Sequence, residues 1–191
     1  LAATHLVTGG VLLQVMLGAL IQILPVVAGA NLPNPLAVAR WLHAGLGAGT
    51  LLLAGGFLVA QPALLGSGAA LLAAAVAAFL AATARALAGV PSTSPTIRGL
   101  KISLAGLAGT VALGSLLAFA LASGWALSFP AVTDLHAGWG LGAWAGVLLA
   151  AMAYVVVPMF QLTPGYPARP GWAFPVAMLG LVIVWTLAVA T

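Results

Sequence analysis

Six apolar runs, each about 20 residues or longer, constrain the fold of this 191-residue chain more than any other feature. About 20 apolar residues in a helix span the hydrocarbon core of a bilayer, whereas a barrel strand needs about ten residues that alternate in polarity. None of the runs alternates. The sequence therefore predicts one all-α transmembrane domain, a polytopic helical bundle over residues 1–191, with about six spans at residues 2–28, 37–60, 64–88, 97–122, 134–160 and 172–190.

The scarcity of charge excludes most other classes of protein. Only 3% of the residues are charged and 64% are hydrophobic, whereas about a quarter of the residues of a soluble domain are charged. The chain has no cysteine, which excludes disulfides, thiolate metal sites and c-type haem attachment. It has one acidic residue, so no pair of carboxylates is present for general acid–base chemistry. Five basic residues in this context indicate no nucleic-acid partner.

The basic residues predict the orientation in the membrane. With six alternating spans they all fall at one flank, which is expected to be cytoplasmic because cytoplasmic flanks are enriched in Lys and Arg. Asp134 falls at the opposite, outer flank, and so do two of the three histidines, His5 and His136. The five basic residues are Arg40, Arg85, Arg98, Lys101 and Arg169.

His5 and His136 are the strongest candidate ligands. Each is followed one helical turn later by a glycine, Gly9 and Gly140 respectively. Neutral imidazole binds haem iron and other transition metals well, and ionisable residues at membrane depth are functional candidates by default. The two histidines are at matched depth, so we expect them to hold haem b or a copper ion together. The alternative is that each makes only an interhelical hydrogen bond.

The run 134–160 presents small residues below its histidine. His136 and Tyr154 are 18 residues apart, about five helical turns, so a uniform α-helix places them on one face. Such a face leaves room for a flat ring or for a closely packed helix. The residues between them on that face are Gly140, Ala143, Val147 and Ala150.

Three further polar or sulfur-containing residues receive weaker predictions. His43 follows Arg40 by three residues and is expected to be an interfacial group that reaches toward water; the alternatives are a second ligand site or a proton-handling group. Asp134 is expected to cap the start of its helix, or else to support a ligand histidine from the second coordination shell. Met16 shares the predicted face of His5 and is a second candidate for such support.

Two stretches carry a resemblance to a known superfamily. They are HLVTGG followed by GALIQILPVVAG, from His5, and YVVVPMFQLTPGYP, from Tyr154. Both resemble segments of bacterial membrane proteins similar to the catalytic subunit of haem–copper oxidases and nitric oxide reductases. In that superfamily a descending helix carries a histidine that binds the low-spin haem, as His5 would. Four helices later another carries a histidine of the copper or non-haem iron site, as His136 would.

The resemblance implies a haem–copper-oxidase-like helix order in a bacterial inner membrane. It further implies haem b, or alternatively copper, and electron transfer or the handling of oxygen or nitric oxide. The adjacent His-His pair and the His-x-His helix of the superfamily are absent from this sequence. We therefore expect an oxidoreductase-like protein that is not a complete oxygen reductase.

The sequence is also consistent with two other functions. Residues 42–47 (LHAGLG) nearly repeat residues 135–140 (LHAGWG) on a span of opposite direction, which is typical of a small transporter or channel built from inverted repeats. The third function is that of a non-catalytic subunit in a larger membrane redox complex. The expected partners are the lipid bilayer and either further copies of this chain or other redox subunits.

Overall fold

The computed structural model describes residues 1–190 and contains six helices that are long and apolar enough to cross a membrane. The part of the chain that is described contains no strand, so the prediction of an all-α integral membrane protein is confirmed. We number the helices in chain order: α1 (Ala2–Ala28), α2 (Pro35–Val59), α3 (Pro62–Leu87), α4 (Pro95–Ser123), α5 (Phe129–Gln161) and α6 (Ala168–Ala190).

Proline defines the start of three helices. Pro35, Pro62 and Pro95 are the first residues of α2, α3 and α4, a position where the missing N–H costs no hydrogen bond and the fixed φ already suits a helix. Asn34 adds a side-chain cap before α2, because its Oδ1 accepts a hydrogen bond from the N–H of Ala37 at 3.4 Å. These three helices therefore begin two residues before the predicted boundaries.

The start of α5 corrects the prediction for Asp134. The helix begins at Phe129, five residues earlier than predicted, so Asp134 lies in its second turn and is exposed. A side chain caps a helix from the position before its first residue. The capping role predicted for Asp134 is therefore wrong.

Two of the helices contain a π-helical segment. Thr8–Leu12 interrupts α1, and Trp139–Gly146 interrupts α5. Backbone hydrogen bonds in a π segment join residues five apart instead of four, so each turn holds more residues. The regular α-helical face predicted from sequence spacing does not continue through these segments.

The described residues form two compact units. The first contains Leu1–Val90 and Gly114–Ser128, and its closest packing joins α2 to α3. A Cβ on Gly68 of α3 would lie 2.4 Å from the backbone nitrogen of Leu53, and one on Gly56 of α2 would lie 2.6 Å from that of Leu65. Small residues at such contacts let helix backbones approach closely, which compensates for the weak hydrophobic drive between helices in lipid.

The second unit contains Pro91–Leu113 and the residues from Phe129 onward. Here the start of α4 packs against α5. A Cβ on Gly106 would lie 2.3 Å from the carbonyl oxygen of Ala143, and one on Gly99 would lie 2.6 Å from the Cβ of Ala151. The buried hydroxyl of Thr96 also donates to the carbonyl of Ala151 at 3.1 Å. Glycine thus again permits close backbone contact, here in the interface between α4 and α5, the helix that contains His136.

Candidate functional site

His5 lies in the first turns of α1 and is half-buried. Its Nδ1 is 2.9 Å from the carbonyl oxygen of Leu1, and its ring lies 5.3 Å, centroid to centroid, from that of Phe57 on α2. A carbonyl oxygen can only accept a hydrogen bond, so Nδ1 of the neutral ring carries the proton. This tautomer places the imidazole lone pair on Nε2.

His136 on α5 also bonds to a backbone carbonyl, but that carbonyl belongs to another helix of the second unit. Its Nδ1 is 2.9 Å from the carbonyl oxygen of Thr110 on α4, and the side chain is half-buried. The lone pair again falls on Nε2. Ligand histidines in metalloproteins commonly donate their other ring N–H to a backbone carbonyl, which fixes both the tautomer and the ring orientation.

The two histidines share a second local feature. The π segment of α1 begins at Thr8, three residues after His5, and that of α5 begins at Trp139, three residues after His136. Short π segments inside α-helices occur frequently at functional sites. The spacing of apolar residues in the sequence does not reveal these segments, so sequence analysis missed them.

The π segment of α1 faces a buried hydroxyl on α2. A Cβ on Gly9 would lie 3.2 Å from Oγ1 of Thr50, and one on Gly10 would lie 3.3 Å from its Cγ2. Thr50 is only 1% exposed. Its Oγ1 has no hydrogen-bond partner within residues 1–190, which is unusual because most buried polar atoms have one.

His43 makes an interhelical contact that its sequence context did not predict. Its Nδ1 is hydrogen-bonded to Oε1 of Gln14 on α1, and Nε2 of Gln14 donates to the carbonyl of Gly10 at 2.7 Å. The imidazole is exposed on the surface of the first unit. Gln14, a polar residue in the middle of an apolar span, was the feature of the sequence that could have indicated this pairing.

Two of the small residues on α5 are packed against α4. Gly140 faces Thr110, whose Cγ2 lies 3.3 Å from the position of a Cβ, and Ala143 is fully buried against Gly106. The sequence left room there for either a flat ring or a packed helix, and at Gly140 and Ala143 the neighbour is a packed helix. At the far end of α5, Tyr154 packs against α6 at Gly171. The π segment between His136 and Tyr154 means that sequence spacing alone does not place them on one face.

The two residues proposed to support the ligands remain predictions in that role. Met16 is half-buried on α1 beyond the π segment, and Asp134 is exposed near the start of α5. Among residues 1–190, no group of three or more His, Cys, Asp or Glu side chains is close enough to hold a metal ion.

Comparison with known proteins returns no relative. No protein-family model, no curated protein and no solved structure matches this chain. The resemblance to the haem–copper oxidase superfamily stays a prediction from the sequence.

Proposed function

We propose that this integral membrane protein binds haem b through His5 and His136 and transfers electrons or handles oxygen or nitric oxide. The proposed site lies near the outer face of a bacterial inner membrane. One observation carries the proposal: both histidines donate Nδ1–H to a backbone carbonyl at 2.9 Å. Both also precede a π segment by three residues.

The chemistry of the donor atoms supports this assignment. An imidazole whose Nδ1–H is bonded to a carbonyl is oriented, and it is a better base at Nε2 than an unanchored ring. The carbonyls of Leu1 and Thr110 would perform this function for His5 and His136 respectively. The chain offers no thiolate, and neutral nitrogen ligands are what a b-type haem needs.

When bound, haem supplies one-electron redox chemistry and an iron that can bind a diatomic ligand. The chain itself contributes three things. Each backbone carbonyl holds its imidazole in one tautomer, the half-buried position of each histidine limits contact with water, and the apolar helices provide a low-dielectric environment. Burial and axial ligands are the main means by which a protein tunes the potential of such a centre.

An optical spectrum of the purified protein in detergent tests the proposal. We expect a Soret band that sharpens on reduction with dithionite, with a resolved α-band typical of a six-coordinate low-spin haem. Replacement of His5 or His136 by Ala should broaden the α-band, and replacement of both should remove the haem. His136→Met should keep six coordination and raise the midpoint potential, because Met/His ligation favours the reduced state.

His43→Ala is the matched control, since it removes the third histidine without changing either proposed ligand. Its spectrum should equal that of the wild type. A wild-type protein without a Soret band, after expression with sufficient haem, would refute the proposal. So would a His43→Ala spectrum that changes as much as that of His136→Ala.

Proton transfer by a small transporter or channel is the second candidate function. His43 on α2 is bonded to Gln14 on α1, and His136 on α5 is bonded to Thr110 on α4. In each half of the chain, a histidine on the second helix is thus hydrogen-bonded to a carbonyl oxygen on the first helix. The oxygen belongs to the side-chain amide of Gln14 in one half and to the backbone of Thr110 in the other. This parallel favours an inverted repeat, and polar residues inside a membrane often mark proton pathways.

Proton flux into liposomes, followed with an enclosed pH-sensitive dye, distinguishes the two functions. If the protein transfers protons, His43→Ala and His136→Ala should each abolish flux, whereas His5→Ala should retain it. The haem proposal predicts the reverse in the optical assay: His5→Ala should change the spectrum, and His43→Ala should not. Absence of flux through the wild-type protein under an imposed membrane potential would eliminate the second function.

A further inference from the structure

The second unit concentrates positive charge where α4 and α6 begin. Arg98 and Lys101 lie in the first two turns of α4, and Arg169 lies in the first turn of α6. The only acidic side chain of the protein, Asp134, is in the second turn of α5, whereas the first turn of α4 contacts α5 at Ala151. Asp134 and Ala151 are roughly 25 Å apart along α5, which is about three times the physiological Debye length. Asp134 is therefore too far away to neutralise Arg98 or Arg169.

Arg98 contacts an indole ring, and Arg169 precedes that ring by about one helical turn in the sequence. The Cζ atom of Arg98 lies 5.4 Å from the centroid of Trp172, which is a cation–π contact. Arg169 precedes Trp172 by three residues on α6, so the two side chains are neighbours on the helix surface, and Arg169 is exposed. The first turns of the two helices touch, since a Cβ on Gly171 would lie 2.8 Å from Cβ of Pro95.

Aromatic and apolar side chains continue from this cluster. Tyr154 packs against Gly171, and its ring lies 5.6 Å from that of Tyr166 in the loop before α6. Phe174, two residues after Trp172, is 39% exposed. Aromatic rings beside cations are typical of the level where headgroups meet hydrocarbon. A ligand that contacts all of these groups must have a negative head and an apolar tail.

We infer that Arg98, Arg169 and Trp172, the Arg98–Trp172 cluster, bind the headgroup of an anionic glycerophospholipid. Guanidinium groups match phosphate oxygens with two parallel hydrogen bonds, and the indole holds Arg98 in place for this contact. The acyl chains would lie along the exposed side of Phe174. Inorganic phosphate carries the same charge but has no group to place there, so the site favours the lipid over the free ion.

Native mass spectrometry and thermal melting in a non-ionic detergent test the inference. The wild-type protein should retain phosphatidylglycerol in preference to phosphatidylcholine and should melt at a higher temperature when phosphatidylglycerol is added. Each Arg→Gln change at Arg98 or Arg169 should reduce retention about fivefold, and the double variant about 25-fold, because a cation near a charged headgroup contributes about 1 kcal/mol. Retention by Arg98→Lys should fall between that of the wild type and that of Arg98→Gln, since lysine keeps the charge and loses the planar stacking.

Arg40→Gln/Arg85→Gln is the matched control, because it removes two cations from the first unit and leaves the cluster unchanged. It should retain phosphatidylglycerol as the wild type does. Equal loss in this control would overturn the inference in favour of non-specific charge attraction. Protection by inorganic phosphate as strong as that by phosphatidylglycerol, or retention that is unchanged in the Arg98→Gln/Arg169→Gln variant, would overturn it as well.

Discussion

The contact of Gly106 with α5 gives the sharpest test of the fold around His136. An alanine Cβ at this position would lie 2.3 Å from the carbonyl oxygen of Ala143 and 2.7 Å from the backbone nitrogen of Trp144. These neighbours are backbone atoms, so no change of rotamer relieves the overlap. Helices α4 and α5 would have to separate by about 1 Å to restore ordinary van der Waals contact.

Two opposing effects set the magnitude for Gly106→Ala. Overpacking of a closely packed interior costs about 1–3 kcal/mol, while the higher helix propensity of alanine contributes up to about 1 kcal/mol in the other direction. We therefore expect the free energy of unfolding to fall by about 1–2 kcal/mol. Separation of the helices should also break the bond between His136 and Thr110, since a further 1 Å takes its 2.9 Å separation beyond hydrogen-bonding distance.

Gly180→Ala is the control, because no atom lies within 4 Å of a Cβ at that position of α6. Its free energy of unfolding should stay equal to that of the wild type or rise by up to about 1 kcal/mol. Denaturant titration in detergent, followed by tryptophan fluorescence, measures both variants. If Gly106→Ala proved as stable as Gly180→Ala, the close α4–α5 contact would be refuted.

Three further substitutions test other contacts in the same assay. Gly68→Ala should lower the free energy of unfolding by about 1–2 kcal/mol through overlap with the backbone of α2, whereas Gly66→Ala, with no atom within 4 Å, should not; equal stability would contradict the α2–α3 seam. Trp139→Phe removes the 2.9 Å hydrogen bond from Nε1 to Oγ1 of Thr186 and should lower the free energy of unfolding by about 0.6 kcal/mol. An unchanged free energy of unfolding would show that this bond does not stabilise the protein. Thr50→Val removes a buried hydroxyl that has no hydrogen-bond partner among residues 1–190 and should stabilise the protein by about 1 kcal/mol. A loss of stability instead would mean that the hydroxyl is hydrogen-bonded.

The six helices were predictable because the bilayer imposes a minimum length on each span. Apolar runs of that length have few other folds available, and their number and order agree with the structure. The predicted starts of α2 to α4 differ by two residues, since proline at the first helical position reads as a breaker in sequence although it suits the first turn. The start of α5 differs by five residues because Phe129 and Pro130 already belong to the helix.

The environment of the histidines was less predictable, and the π segments are the physical reason. Sequence spacing assumes 3.6 residues per turn, and a single π segment rotates every residue beyond it relative to those before it. The prediction that His136 and Tyr154 share a face therefore does not take account of the π segment that lies between them. No pattern of apolar residues marks the segment Trp139–Gly146, because every position in it is apolar or glycine.

Glycine composition alone could not distinguish space for a ligand from space for a helix. On α5, Gly140 meets Thr110 of α4, while a Cβ on Gly142 would lie 3.0 Å from Sδ of Met178 on α6, so the glycines serve two packing faces. His136 lies at the edge of the first of these faces, and its Nδ1 is held by a backbone carbonyl of α4. The direction of its Nε2 is consequently set by how closely α4 packs against α5. A change such as Gly106→Ala should therefore weaken the binding of any ligand at His136, although it leaves the imidazole itself unchanged.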